Sequence, residues 1–267
     1  MHLLKVILQH SRFPTQEYYP FYLEVLQNTH CVEFTAPVTF FIGENGTGKS
    51  TLLKALCQRC GIYIWDGAFK TRFEKNPYEG RLPEALDIEW SDGPVPGSFF
   101  SSQIFQDYVD LVDEWAVADP GFLHYFGGKS LATQSHGQSL MSYFTNRYMI
   151  RGLYFLDEPE TALSPKTQLR LLKVLSDMSV AGHAQFIIAT HSPILMSCPG
   201  AAIYSFDFSP IKQVEYRQTD HYRIYRDFMK NLEMHHSSDA LDPMKSGEHE
   251  EKKPRFPPPQ IKKYEKS

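Results

Sequence analysis

Four cysteines are all the sequence contains, too few for a disulfide scaffold and in keeping with a reducing cytoplasm. Cys57 and Cys60 make one C-x-x-C, but no second pair stands at zinc-ligand spacing, so two buried helix cysteines are expected in place of a metal or redox site. Long apolar runs are missing as well. Nothing approaches the roughly 18 residues of a spanning helix, and no membrane insertion is expected. The opening MHLLKVILQHSRFP lacks a small-residue cleavage site and reads as a strand, not a leader. Basic excess is absent too. Against 31 Asp and Glu stand 27 Lys and Arg, a net charge of −4, which excludes a strongly basic, sequence-indifferent nucleic-acid binder but not a local basic patch.

What is present is an ordinary globular balance. The 267 residues are 42% hydrophobic and 14% aromatic, enough for one large domain or a domain with an insertion. Three apolar runs, Val38–Ile42, Leu153–Leu156 and Phe186–Ala189, predict strands buried on both faces, as in a parallel sheet covered by helices. Leu3 to Leu8 is a further strand. Between the last two apolar runs a helix is marked by Ser164 as cap and Pro165 at the first helical position, with Leu169, Leu172 and Leu175 as its apolar stripe. Strand, helix, strand in that order is α/β. The stretch 61–101, broken by Pro77, Pro83, Pro94 and Pro96, predicts a small antiparallel β insertion built on pieces such as Ile62–Trp65 and Leu86–Trp90. A helical region, 104–140, follows; its first part is amphipathic, with Phe105, Tyr108, Val109, Val112 and Trp115 on one face. The folded domain is expected over 1–232. Residues 233–267 mix prolines with both charge signs and are expected as a flexible, disordered tail.

The chemistry is concentrated in two places. Gly43-Glu44-Asn45-Gly46-Thr47-Gly48-Lys49-Ser50 satisfies G-x-x-x-x-G-K-[ST] between an apolar strand and a helix that starts through Thr51. Its glycines let backbone amides curl around phosphate oxygens, and the helix N-terminus adds positive potential. Lys49 would reach the β and γ phosphates and Ser50 would ligate Mg²⁺, so ATP and Mg²⁺ are the implied cofactors. Such a loop needs a carboxylate at the end of a neighbouring strand. Leu153-Tyr154-Phe155-Leu156-Asp157-Glu158 supplies Asp157 for the metal and Glu158 to polarise the attacking water.

These motifs stand in order with Ser135-His136-Gly137-Gln138, Thr161-Ala162-Leu163-Ser164 and Ala189-Thr190-His191-Ser192. Together they resemble the ABC-type ATPases, and GLYFLDEPETALSP…QFIIATHSPIL is similar to the small soluble RecF/SMC-like members of the AAA family. The resemblance covers roughly residues 1–230. It implies a P-loop NTPase fold of ABC-ATPase type: a mostly parallel sheet flanked by helices, with a small antiparallel β subdomain. It also implies that Ser135, Gly137 and Gln138 are signature residues touching the γ-phosphate held by the opposite subunit, with His136 in place of the usual glycine. His191 matches the switch histidine that holds Glu158 and the water in line. Gln103 is the candidate for the glutamine that reports on magnesium and water, with Gln106 second. The D-loop normally ends in aspartate, where this chain has Ser164. Phe13, Tyr18 and Tyr19 are candidates for adenine stacking.

Between Thr51 and Ser135 the prolines and missing heptads leave no place for the coiled-coil arm of the long-armed relatives. After His191 there is room for two edge strands and one helix, not for a nuclease domain. A bare ATPase head is expected, dimerising around two ATP molecules and driving an unidentified partner protein or a DNA transaction. Arg223, Arg226 and Lys230 on the last helix are the one candidate basic face for nucleic acid. The alternatives are the nucleotide-binding subunit of a membrane transporter and a non-catalytic, ATP-gated scaffold.

Overall fold

A computed structural model describes residues 1–64, 76–102, 105–119, 121, 123, 128, 130, 133 and 136–231, the side chains of 106–108, 118 and 136 excepted. The chain divides into two compact units, Met1–Ile224 and Tyr225–Ser267. Among the described residues the strands are β1 (Leu3–Leu8), β2 (Cys31–Glu33), β3 (Val38–Ile42), β4 (Leu86–Trp90), β5 (Gly97–Ser101), β6 (Gly152–Asp157), β7 (Ala184–Ala189), β8 (Ala202–Ser205) and β9 (Lys212–Gln213). The α-helices are α1 (Glu24–Asn28), α2 (Lys49–Arg59), α3 (Phe105–Ala118), α4 (His136–Arg147), α5 (Pro165–Ala181), α6 (Pro193–Met196) and α7 (Asp220–Lys230). None of them is long and apolar enough to cross a membrane. The tail expected over 233–267 lies outside the described residues.

The fold is α/β. Its main sheet runs β5-β6-β7-β3-β8-β9, parallel throughout except where β9 pairs antiparallel with β8 at the edge. A second, antiparallel sheet has the order β2-β1-β4. Alternate side chains of the inner strands enter two different cores. Phe41, Leu153, Phe155, Ile187 and Ala189 join a cluster that includes α2 and the antiparallel sheet. Phe40, Tyr154, Leu156, Phe186 and Ile188 join the other, with side chains of α3, α4 and α5. The runs are almost continuously apolar because each successive side chain has a core to enter. Each such Leu or Phe contributes about 1.5–3 kcal/mol by leaving water.

Polar side chains enter this interior too, among them Thr39 on β3. Gln185 on β7 is fully buried; its Oε1 accepts from the amides of His2 and Leu3, both at 2.8 Å, and its Nε2 donates to Leu3 O at 2.9 Å. It ties the start of β1, and with it the antiparallel sheet, to the parallel one. Cys57 and Cys60 are buried on and just after α2, and burial pushes the Cys60 thiol up to about 12. They pack as neutral thiols, as the lack of a second pair suggested.

Three expectations need correction. The segment 61–101 is not one antiparallel insertion: β4 pairs with β1 in the antiparallel sheet, while β5 extends the parallel sheet against β6. Ile62 and Ile64 are core residues of a non-strand segment, and 65–75 lie outside the described residues. Alternation in a short run reports a half-buried strand but not which neighbour completes its hydrogen bonds. On α5 the buried stripe is Leu171, Leu175 and Met178, while Leu169 is 57% exposed. Spacing of three and three drifts around a helix of 3.6 residues per turn, whereas four and three stays on one face. On α3, Phe105, Val109 and Val112 are buried but Trp115 is 47% exposed, and the Tyr108 side chain lies outside the described residues.

Candidate active site

β6, β7 and β3 are consecutive parallel neighbours, so the segments that follow them emerge together at the carboxyl edge of the sheet. After β3 the chain turns through Gly43 (φ 138°) and Gly48 (φ 104°), the second serving as the left-handed N-cap of α2. A side chain on Gly43 would stand 3.0 Å from the Asp207 carboxylate, which accepts the amide of Glu44 at 2.8 Å. Thr47 Oγ1 donates to Glu44 O at 2.9 Å and draws the loop into a curl. Lys49 fills that curl: it is only 4% exposed, and its ammonium donates to Gly43 O at 2.6 Å and Glu44 O at 2.7 Å. Burial holds its pKa below the usual lysine value, opposed by the nearby carboxylates of Glu158, Asp207, Glu44 and Asp157.

Ser50, the second residue of the same helix, donates to Asp157 Oδ1 at 2.6 Å. Asp157 is the last residue of β6 and is buried, which pushes its carboxyl up, while Ser50 and Lys54 (Nζ 3.8 Å from Oδ2) pull it back. A hydroxyl and a carboxylate oxygen meeting at the foot of an amide-lined loop suit a hard cation sharing its coordination with phosphate. Among the described residues no cluster of three or more His, Cys, Asp and Glu competes for such an ion. The residues fit Mg²⁺.

Glu158 follows directly and is the one non-glycine residue with positive φ (47°) among those described. Its conformation is enforced from several sides. Its amide donates to Ala189 O at 2.9 Å, and its carbonyl accepts from Thr161 Oγ1 at 2.9 Å and Ser102 Oγ at 3.2 Å. From the end of β7, His191 brings its Nε2 to 3.9 Å from Glu158 Oε1. That distance is too long for a hydrogen bond and short enough for both to touch one reacting centre. The His191 amide donates to Glu160 Oε1 at 2.6 Å. Burial first, and then the charge of Lys49, hold the imidazole below its ordinary pKa.

The structure thus brings together Lys49, Ser50, Asp157, Glu158 and His191. Gly137 sits elsewhere, at the start of α4 beside α5, where Thr167 Oγ1 is the nearest atom to its missing Cβ. Gln138 is exposed on the same turn. Ser135 and Gln103, and the His136 and Gln106 side chains, lie outside the described residues. Ser164 caps α5, its Oγ accepting the Thr167 amide at 3.3 Å. Of the three aromatic candidates, Tyr19 reaches the loop's helix, its hydroxyl 2.8 Å from Thr51 Oγ1. Phe13 packs on Phe21, and Tyr18 on Tyr78. On α7, Arg223 lies 3.9 Å from Asp220 and Arg226 2.8 Å from Asp227, which reduces the basic face to a largely neutralised one.

Three residues of the site escaped sequence reading: Glu160, Asp207 and His221, whose Nε2 stands 3.2 Å from His191 Nδ1. Glu160 was in view, two positions after Glu158, but nothing local shows that it turns inward. Asp207 follows β8, which neighbours β3; knowing the strand order would have marked it, and strand order is not a local property.

Two segments of the chain match known family models. Residues 133–197 match the family described as "AAA domain, putative AbiEii toxin, Type IV TA system", and residues 19–75 match a second described as "AAA domain". The two segments hold the phosphate loop in one and Asp157, Glu158 and His191 in the other. A curated relative, the manganese transport system ATP-binding protein MntA of Synechocystis, is 25% identical over 183 residues, covering 62% of this chain and 68% of that protein. Similar solved structures include the SMC head domain from Thermotoga maritima (18% identity, TM-score 0.46, 80% of this chain and 100% of that one). Another is cbiO1 from Clostridium perfringens, part of the ABC transporter complex cbiONQ (17% identity, TM-score 0.48, 88% and 98%). In the matched AAA segments, in the relative and in the phosphate loop on a parallel sheet, this chain is similar to ABC-type P-loop proteins of the AAA family.

Proposed function

We propose that the protein binds ATP at residues 43–51 and hydrolyses it in the cytoplasm with Mg²⁺, as a dimer closed around two nucleotides. The observation that carries this reading is the junction of Ser50 and Asp157 at 2.6 Å with Glu158 and His191 beside it. Glycines, amides, hydroxyl, paired carboxylates and histidine then occupy one strand edge. Ser50 and Asp157 would hold Mg²⁺, which when bound neutralises phosphate charge. Lys49 supplies a second positive charge at the same place. Glu158 orients and polarises the attacking water, and His191 donates a hydrogen bond to the terminal phosphate. Tyr19 stands nearest for the adenine ring.

In this reading Ser135, Gly137 and Gln138 complete the site of a second copy, and Gln103 reports on the metal and water from the end of β5. The energy released drives a partner protein or a DNA transaction of the repair or defence kind. The domain proper extends to about residue 232, with the remainder as a tail. Lys49→Ala tests the foundation. ATP should raise the melting temperature of the wild type through ligand linkage, RT ln(1 + [L]/Kd), and leave the variant unmoved. Equal stabilisation of both would place the nucleotide elsewhere.

A second reading is favoured by the curated relative, an ATP-binding protein of a transport system: this chain would then be the nucleotide-binding subunit beside a membrane partner. Co-purification of the Glu158→Gln form from detergent extracts separates the two, since the transport reading requires an integral membrane protein in stoichiometric amount. A non-hydrolysing scaffold finds less support, because Glu158 and His191 are both in place.

A further inference from the structure

We infer that His221 is a positioning residue for His191, fixing its tautomer and ring orientation so that Nε2 presents its proton toward Glu158. This rests on the hydrolytic reading of the site and adds to it a residue from a different element. His221 lies in the first turn of α7, and its Nε2 is 3.2 Å from His191 Nδ1, the ring centroids 5.4 Å apart. The backbone of His191 is already pinned by Glu160. Its Nε2 is shielded and without a hydrogen-bond partner, facing Glu158 Oε1 at 3.9 Å.

A neutral imidazole carries a single N–H, so the two rings share one hydrogen bond with two polarities. If His221 Nε2–H donates to His191 Nδ1, the proton of His191 stands on Nε2. The opposite polarity would turn the Nε2 lone pair toward the carboxylate of Glu158, which Coulomb repulsion disfavours. The first arrangement is also the one that can donate to a phosphate oxygen. Second hydrogen bonds of this kind set which nitrogen of a working histidine carries the proton.

The surroundings keep both rings neutral. Around His191 stand Lys49, Glu44, Asp207 and Glu158, with Glu160 on its amide; around His221 stand Asp207, Glu44, Lys49 and Asp220. Burial lowers both imidazoles below the ordinary value, and the charge of Lys49 acts in the same direction.

Nitrogen-15 spectra of the histidine-labelled full chain, without nucleotide, read the tautomer directly. The wild type should show His191 protonated on Nε2. His221→Ala should give averaged nitrogen shifts, and His221→Gln, whose amide can still donate, should restore them. His191 shifts unchanged in His221→Ala would overturn the inference. Kinetics supply the second test. His221→Ala should lower kcat for phosphate release by roughly tenfold or more, with KM for ATP and ATP-dependent thermal stabilisation unchanged. His191→Ala combined with His221→Ala should be no slower than His191→Ala alone, whereas fully additive losses would contradict a role through His191. Glu158→Gln separates the two levels. Turnover at the wild-type rate in that variant sinks the hydrolytic reading, while the nitrogen spectra still decide the tautomer.

Discussion

Glu158 is held in a left-handed backbone conformation by partners on three segments: Ala189 at its amide, Ser102 and Thr161 at its carbonyl. For a side chain with a Cβ this costs on the order of 1–2 kcal/mol. Glycine would adopt the same φ without strain, at some cost in unfolded-chain entropy. Glu158→Gly should therefore leave the nucleotide-free protein as stable as the wild type or up to about 1 kcal/mol more stable by urea titration, while abolishing phosphate release. A loss of several kcal/mol would mean the carboxylate has a structural role. The histidines make a separate statement about pH. Both have pKa values lowered below 6.5 in the fold, so the unfolded chain takes up protons first as pH falls. Their contribution to stability is complete above the ordinary value and is lost as pH falls through the lowered ones. Asp157 and Glu160, raised by burial, act with the opposite sign, their contribution being lost as pH rises. The difference between proteins isolates the histidine part. Between about pH 7 and about pH 5, His221→Gln should lose less stability than the wild type in urea titrations at each pH.

At the scale of elements, β7 carries two loads: its carboxyl end positions His191, and Gln185 near its start anchors β1. Replacing Gln185 by Leu removes the partner of two amides and one carbonyl that remain buried. We expect Gln185→Leu to lower the unfolding free energy by about 2–5 kcal/mol, read from the urea midpoint. A change under about 0.5 kcal/mol would show that water reaches those groups. The three central strands were legible in the sequence because burial on both faces leaves few polar positions to interrupt them. So was the start of α5, because Ser164 and Pro165 act through neighbours within one turn. The pairing of β5 with β6 was not, and neither was the approach of Asp207 and His221 to the loop. Those depend on strand order and on how the chain returns after β8, which no local pattern encodes. The same division applies to the site: Lys49, Ser50, Asp157 and Glu158 were marked by short motifs, while Glu160 and His221 become visible only when distant elements meet.

For the whole molecule, the parallel sheet sets the phosphate loop, Asp157, Glu158 and His191 on one edge, and Gly137 beside the start of α5. A site completed by a second copy follows from that separation in the reading proposed above. The net charge of −4 gives such a dimer no general hold on nucleic acid, so its specificity would come from a partner protein. The chemistry proposed for this edge is narrower: ATP hydrolysis, with Glu158 acting on the water. The measurement that tests it most directly is phosphate release with ATP and Mg²⁺ by the wild type and Glu158→Gln, with ATP-dependent thermal stabilisation recorded on the same samples. Equal stabilisation of the two proteins is expected, with a fall in turnover of roughly a hundredfold or more in the variant. Turnover by Glu158→Gln at the wild-type rate would contradict it.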